Sequence, residues 1–320
     1  MYRFLTPEIV EGIQLPAPEY AQVVDDKIAL LAKGYIAVHD VDLTMTTNGF
    51  PAKEDLTSWG VMVPYYDEAD KEVDGAMWGI FEKRQRAGTL TNEQAEFWWE
   101  SSLRLITKDR SRPNHMSDEQ YEGIMRTDPQ RLTPITLDMV REAGEKMHPR
   151  PGVHEYTQAL RDNRIPNAWV TAGLADPCEA FAKKQNITPD ILLGTRFEFD
   201  RQGVLVDWVP KTVIHPLIKN EQCQTEIREL RQPDDFEGTY ASPGTLLLGD
   251  SITDPQMVRG SKVLRISVAN PHGANSEEYL ASRHDAGYDI VLQDEGLYVA
   301  TAIVRRISEI RQEPPRSAAY

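Results

Sequence analysis

Short apolar runs recur along the chain, and several of them end on a polar group. The first is Gly34-Tyr-Ile-Ala-Val-His-Asp40, which passes directly into Val41-Asp-Leu-Thr44. A run with β-branched and aromatic members, closed by a polar loop, predicts a buried strand with Asp40 and Asp42 facing the same way at its carboxyl end. Similar runs lie at Ile165–Gly173, Ile191–Phe197, Thr245–Ser251, Val263–Val268 and Asp289–Leu292. Segments with helical spacing separate them. Tyr20, Val23, Val24, Ile28 and Leu31 mark a helix within Pro18–Lys33 that Gly34 stops, and a second helix is predicted near Val153–Asn163. A third opens at Asp176-Pro177, with Asp as N-cap and Pro at the first helical position, and a last one runs through Leu297, Ala300, Ile303, Val304 and Ile307. A β excursion spans Phe199 to Trp208, turning at Asp200-Arg-Gln-Gly203. Strands without internal polarity that alternate with helices predict an α/β fold, a parallel sheet covered on both faces. In such sheets the working groups lie beyond the carboxyl ends of the strands.

Residues 49–151 break this rhythm. They hold no convincing buried strand but several helix signals. Thr91-Asn-Glu-Gln94 has the form of a capping box, and Ala95, Trp98, Trp99, Ser102 and Ile106 follow on one face. Thr136 can cap another helix, with Leu137, Val140 and Met147 on one side, while Pro113, Pro129 and Pro134 keep the intervening stretch in loop or broken helix. The predicted organisation is a core of 1–48 and 152–320 with a mostly helical insertion at 49–151. There is no internal repeat, and the tail after Gln312 has the composition of a disordered segment.

Composition narrows the partners. At 320 residues the chain is long enough for a large core with an insertion, and 50 acidic against 35 basic residues give a formal net charge of -15. That balance disfavours nucleic-acid polymers and anionic membranes, although a few local donors and a metal can still hold a small anion. Cys178 and Cys223 are too few and too far apart for a disulfide framework or a cysteine zinc site, which points to a reducing compartment. The N-terminus lacks the basic start and apolar run of a secretory signal, and no stretch approaches membrane-spanning length, so the expectation is a cytoplasmic protein.

Asp40, Asp42, Thr171, Lys219, Asp250 and Asp254 all fall at or after predicted strand ends. Several carboxylates at one sheet edge repel each other unless a hard cation sits among them, and an oxygen-only donor set favours Mg2+ shared with a phosphate. A carboxylate can attack phosphorus to give an aspartyl-phosphate, with a lysine and the metal neutralising the oxygens and a second carboxylate moving the proton. Each residue taken singly has an ordinary reading. Asp-x-Asp in a loop is usually solvated, Thr171 could satisfy a backbone group, Lys219 could be a surface charge, and Asp254 could cap a helix at Pro255. Their order along the chain is what argues for chemistry.

That order resembles the haloacid dehalogenase superfamily of phosphatases. Asp40-Val-Asp-Leu-Thr44 matches its DxDxT signature, followed by Thr171, Lys219 and Gly249-Asp-Ser-Ile-Thr-Asp254. Within the superfamily the chain is similar to the cytosolic 5′-nucleotidase III (pyrimidine 5′-nucleotidase) family. The likeness rests on Thr171-Ala-Gly-Leu-Ala-Asp176 after an Ile-Pro strand, Gly203-Val-Leu205, Ile214-His215 with Lys219, and Tyr288-Asp-Ile-Val-Leu-Gln-Asp-Glu-Gly-Leu297. The resemblance implies a Rossmann-like core with an inserted helical cap of the C1 type. It implies Asp40 as nucleophile and Asp42 as general acid and base. Thr44, Thr171, the amides of Ala172 and Gly173, and Lys219 would bind phosphate. Asp250 and Asp254 would hold Mg2+ beside the Asp40 carboxylate and the Asp42 carbonyl. In the cap, Glu68 and Ser101 would contact the substrate, a nucleoside 5′-monophosphate.

The chain departs from the family at His39, at Met45-Thr-Thr-Asn-Gly49, at Thr253 and at Pro255. These touch the substrate more than the chemistry, and leave open another small phosphate, such as a modified nucleotide or sugar phosphate, phosphotransfer to a nucleoside, or a non-catalytic binding protein of this fold. His39 and His215 read as interior histidines, and Trp98 and Trp99 as packing residues rather than a stacking platform, for which Tyr65, Tyr66 and Trp78 compete. No GxSxG, Walker loop, GxGxxG or HExxH occurs, so serine-hydrolase, P-loop, dinucleotide and zincin chemistries have no basis.

Overall fold

The computed structural model describes residues 3–47, 56–66, 68–87, 89–107, 134–215, 218–219, 223, 244–269 and 275–312. In chain order these form α1 (Pro7–Glu11), β1 (Ile13–Gln14), α2 (Tyr20–Leu31), β2 (Tyr35–His39), β3 (Thr46–Thr47), α3 (Glu68–Arg86), α4 (Asn92–Thr107), α5 (Leu137–Glu145), β4 (His148–Pro149), α6 (Val153–Asp162), β5 (Asn167–Leu174), α7 (Ala175–Lys184), β6 (Ile191–Thr195), β7 (Phe197–Phe199), β8 (Leu205–Trp208), β9 (Gly244–Gly249), β10 (Val263–Ser267), α8 (Glu277–Asp285), β11 (Ile290–Leu292) and α9 (Tyr298–Gln312). The tail predicted as disordered lies outside the described residues.

A seven-stranded sheet in the order β1-β11-β10-β9-β2-β5-β6 forms the centre. β1 joins β11 antiparallel, and every other pairing in this sheet is parallel. Both faces are buried, as uninterrupted apolar strands require. Tyr35 and Ala37 of β2 enter the larger core with α2, α6 and α9, while Ile36 and Val38 point to a second core with Ala168, Val170, Leu247, Met257 and Tyr288. The alternation is the period-two geometry of a strand. Each fully buried aliphatic side chain there contributes about 1.5–3 kcal/mol.

The predicted β excursion is the β7–β8 hairpin. Asp200 Oδ1 accepts from the amides of Gln202 (2.8 Å) and Val204 (2.9 Å), and Gly203 supplies a φ of 77° that other residues rarely adopt. The capping box at Thr91 is made reciprocally: Thr91 N donates to Gln94 Oε1 at 3.2 Å, and Gln94 N donates to Thr91 Oγ1 at 3.3 Å. Thr136 caps α5 by accepting from Met139 N at 3.3 Å.

One cap differs from expectation. β5 continues through Leu174, and Leu174 is the N-cap residue of α7, so Asp176 lies inside the helix. Its carboxylate reaches sideways to accept from Phe197 N at 2.8 Å and stands 3.8 Å from the Arg196 guanidinium. The local Asp-Pro signal lost to a tertiary contact that fastens the hairpin to α7.

The two ends of the segment expected as an insertion lie side by side. β3 and β4 pair antiparallel, Thr46 with Pro149 and Thr47 with His148. Beyond that neck, α3 and α4 pack on each other over a small core of Met77, Phe81, Ala95, Trp98, Trp99 and Leu105. Trp98 and Trp99 are packing residues, as expected, while Trp78 stacks on Phe81 and stays half-exposed. α5 belongs elsewhere: it packs along core helix α7, where Lys184 Nζ donates to Glu145 O. The described part of 49–151 therefore holds a short 3-10 helix at Gly60–Tyr65, the α3–α4 pair, and a third α-helix that packs on α7, before β4. No helix among the described residues is long and apolar enough to cross a membrane.

Candidate functional site

The carboxyl ends of β2, β5 and β9 meet, and Asp40, Asp42, Thr44, Thr171, Lys219, Asp250 and Asp254 converge there. Asp40 directly follows β2, and its amide continues the ladder to Leu248 O at 3.0 Å. The chain then turns sharply, with the Thr44, Met45 and Thr46 amides all directed at Val41 O and Leu43 at a left-handed φ of 59°. Such a conformation costs a non-glycine residue of order 1 kcal/mol and persists only when its surroundings enforce it. Here Leu43 N donates to Thr46 Oγ1 at 3.0 Å, and the buried Arg150 guanidinium donates to Leu43 O and to Glu295 O. Arg150 thus ties the turn that carries the carboxylates to the return strand of the insertion.

Asp40, Asp250 and Asp254 each offer a carboxylate oxygen within 4.8 Å of the others. Lys219 Nζ donates to Asp40 Oδ1 and, at 2.9 Å, to Asp254 Oδ1. Asp254 Oδ2 accepts from the amides of Asp250 (3.1 Å) and Ser251 (2.8 Å), so this carboxylate is engaged on both oxygens. Thr44 Oγ1 donates to Asp250 Oδ1 at 3.1 Å and lies 3.5 Å from Asp40 Oδ2. Its hydroxyl, expected on phosphate, faces the two carboxylates.

Three carboxylates against one ammonium leave a formal surplus of two negative charges in a buried site. The titration behaviour follows. Burial holds the Asp40 carboxyl well above the usual range; Lys219 pulls it down, and Asp254, Asp250 and Asp42 push it up again. Asp250 is raised to about 6 by burial and by Asp254, against Lys219 and Arg283. Burial alone would lower the Lys219 ammonium, but Asp254 and Asp40 outweigh it and the net direction is up. An all-oxygen donor set with an excess charge of minus two suits a hard divalent cation.

Asp42 sits in a different network, outside the acidic triad. Its Oδ1 accepts from Ser58 N at 2.7 Å, and its Oδ2 accepts from Ser58 Oγ at 2.7 Å and Thr171 Oγ1 at 3.0 Å. Thr171 lies in a bulge of β5, where the pairing to β6 shifts between Val170 and Leu174. Bulges re-aim side chains and are frequent beside active sites. The Gly173 amide, expected on phosphate, instead donates to Thr171 Oγ1 at 2.7 Å. Glycine is required there for space, because a Cβ would stand 1.9 Å from Ser58 Oγ and 2.5 Å from Asp42 Oδ2. Ala172 is fixed through its carbonyl, which accepts from Trp99 Nε1 at 2.5 Å.

The expected substrate contacts in the insertion fare differently. Ser101 is buried, and its hydroxyl has no partner among the described residues. Glu68 opens α3, and its side chain lies outside the described residues. His39 is an interior histidine: Tyr156 OH lies 3.5 Å from its Nε2, and burial lowers it to about 3. His215 is also buried and lowered by that burial to about 4. Ser58, Trp99 and Arg150 are site residues that sequence reasoning misses, and the sequence carries no local signal for any of them beyond Trp99's place on a helix face.

Comparison with known proteins places this geometry. The sequence profile of the pyrimidine 5′-nucleotidase (UMPH-1) family matches residues 129–308, more than half of the chain. No curated protein matches the chain. Among solved structures, cytosolic 5′-nucleotidase IIIB bound to cytidine superposes with a TM-score of 0.66 at 18% identity, over 94% of this chain and 95% of that one. An unliganded probable phosphoserine phosphatase from Vibrio cholerae superposes with a TM-score of 0.54 at 14% identity, over 89% of this chain and 68% of that one. The family match makes the chain a phosphoric monoester hydrolase, built on the fold of the haloacid dehalogenase phosphatases. The chain belongs to the pyrimidine 5′-nucleotidase family.

Proposed function

We propose that the protein is a Mg2+-dependent 5′-nucleotidase that hydrolyses nucleoside 5′-monophosphates through an aspartyl-phosphate on Asp40. The observation that carries this reading is the juxtaposition of Asp40, Lys219, Asp250 and Asp254 in one buried group, with Asp42 and Thr171 alongside. Asp40 attacks phosphorus, the bond from phosphorus to the 5′ oxygen breaks, and that oxygen takes a proton from the Asp42 carboxyl. Water then gives a proton back to Asp42 while its oxygen attacks phosphorus, and the acyl-phosphate bond to Asp40 breaks. Lys219 offsets charge on the phosphate oxygens and keeps Asp40 oriented through Asp254. Thr171 stands ready to exchange its bond to Asp42 for one to phosphate. Asp40, Asp250 and, at the edge, Asp254 would hold Mg2+, which when bound supplies the positive charge that lets phosphate approach an anionic site.

Residues 49–151 act in this reading as a cap. Ser58 and Trp99 bring the insertion onto the strand ends, so that closure excludes bulk water. The buried Ser101 hydroxyl and Glu68 are the proposed contacts to the nucleoside. Support for that substrate class comes from the family and from the relative whose structure holds cytidine. The two cysteines are free and buried, which fits a cytoplasmic location. A phosphate-release panel tests the assignment. Nucleoside 5′-monophosphates should give the highest kcat/KM, and preference for sugar phosphates or phosphoserine would overturn it.

The charge surplus gives a further expectation. Asp250, raised to about 6 in the fold against an ordinary value near 3.8, contributes stability at low pH that is lost as pH rises through about 6. A divalent cation removes that loss, and a proton on Asp250 competes with it. The rise in Tm on adding Mg2+ is therefore expected to be larger at pH 7 than at pH 5. Differential scanning calorimetry with Mg2+ and with chelator at both pH values checks this, and equal gains would count against the triad as the metal site.

A further inference from the structure

We infer that Ser58, a residue of the insertion, positions the Asp42 carboxyl for proton transfer; the inference rests on the reading of Asp42 as acid and base. Ser58 is fully buried and grips both Asp42 oxygens, by its amide on Oδ1 at 2.7 Å and by its hydroxyl on Oδ2 at 2.7 Å. Two donors from one residue fix the plane of a carboxylate, where a single bond would leave it free to rotate. The hydroxyl is itself held in place, because Ser58 Oγ accepts from Leu174 N at 3.0 Å while it donates to Asp42 Oδ2. Gly173 leaves the room that this oxygen fills.

The grip is built from outside the core. Thr57 accepts from the amides of Gly60 (3.1 Å) and Val61 (3.0 Å) to make a tight turn. Trp59 anchors that turn among Trp98 and Trp99, at ring separations of 6.0 Å and 6.3 Å. Trp99 in turn holds Ala172 O. Seating the insertion therefore aligns the proton carrier as well as covering the substrate. An insertion displaced by a few ångströms would take both Ser58 donors away from Asp42.

A proton donor matters most when the leaving group is poor. Loss of alignment at Asp42 should slow expulsion of a nucleoside alkoxide and barely affect p-nitrophenolate, whereas a merely structural defect slows both. Ser58→Ala keeps the amide and removes the hydroxyl. In single-turnover experiments with the full chain and Mg2+, we expect nucleoside release from a nucleoside 5′-monophosphate to fall roughly 10- to 100-fold, while the p-nitrophenolate burst from p-nitrophenyl phosphate changes less than about threefold. Ser58→Cys, of similar size with a weaker donor, should fall between wild type and Ser58→Ala, and it decides the question if Ser58→Ala does not fold. Asp42→Asn is the reference and should show the same split, more strongly. Equal losses on the two substrates, or no loss, in the Ser58 variants while Asp42→Asn shows the split would overturn the role of Ser58 alone. No split in Asp42→Asn would overturn the reading of Asp42, and the inference with it.

Discussion

Asp40→Asn is expected to abolish turnover, with kcat lower by about 10^5-fold or more, the scale on which an enzyme loses rate when its covalent nucleophile is removed. The amide keeps the size of the carboxylate but cannot form an acyl-phosphate. The fold is expected to survive, because Lys219 retains Asp254 at 2.9 Å and the substitution takes one charge from a group in which burial already disfavours ionisation of Asp40. A steady-state assay on a nucleoside 5′-monophosphate, beside a thermal melt of the same preparation, checks both parts. Appreciable hydrolysis by the folded variant would remove Asp40 as nucleophile.

Lys219→Met is expected to produce the largest loss of stability. The ammonium is buried between Asp40 and Asp254, and all three side chains have side-chain exposures of 5% or less. Removing one partner of a buried ion pair leaves the other charge uncompensated and typically costs about 3–5 kcal/mol. Two carboxylates lose their cation here, so they must take up protons or recruit a metal. The deficit in urea unfolding is accordingly expected to shrink at pH 5 and on adding Mg2+, while activity stays low because phosphate loses its fixed positive partner. A stability equal to wild type in chelator at pH 7 would show that Lys219 does not hold this cluster together.

Much of this molecule could be read from residue order. Asp40 and Asp250 directly follow apolar runs, where a parallel sheet presents its polar groups, whereas Thr171 lies within β5 and Lys219 in no strand, and these two were singled out by their order along the chain. The capping box at Thr91 and the Asp200–Gly203 turn were legible because their partners lie within four residues. What escaped depends on contacts far apart in sequence. Ser58 is 16 residues from Asp42 and 116 from Leu174, in a stretch without periodicity. Arg150 looks like any arginine after a proline until Leu43 O and Glu295 O are seen to converge on it. Asp176 carried a local N-cap signal, and the Phe197 amide 21 residues away won its carboxylate. The break in rhythm over 49–151 did not separate α5, which packs on α7, from the α3–α4 pair.

Trapping the phosphoenzyme tests the proposed chemistry most directly. Wild-type protein mixed with Mg2+ and a nucleoside 5′-monophosphate labelled in its phosphate is quenched in acid and mapped by mass spectrometry. The label is expected on the peptide that carries Asp40, and hydroxylamine should release it as it does acyl-phosphates. Phosphate release without any labelled protein, or a label on another residue, would contradict the assignment of Asp40 as the nucleophile.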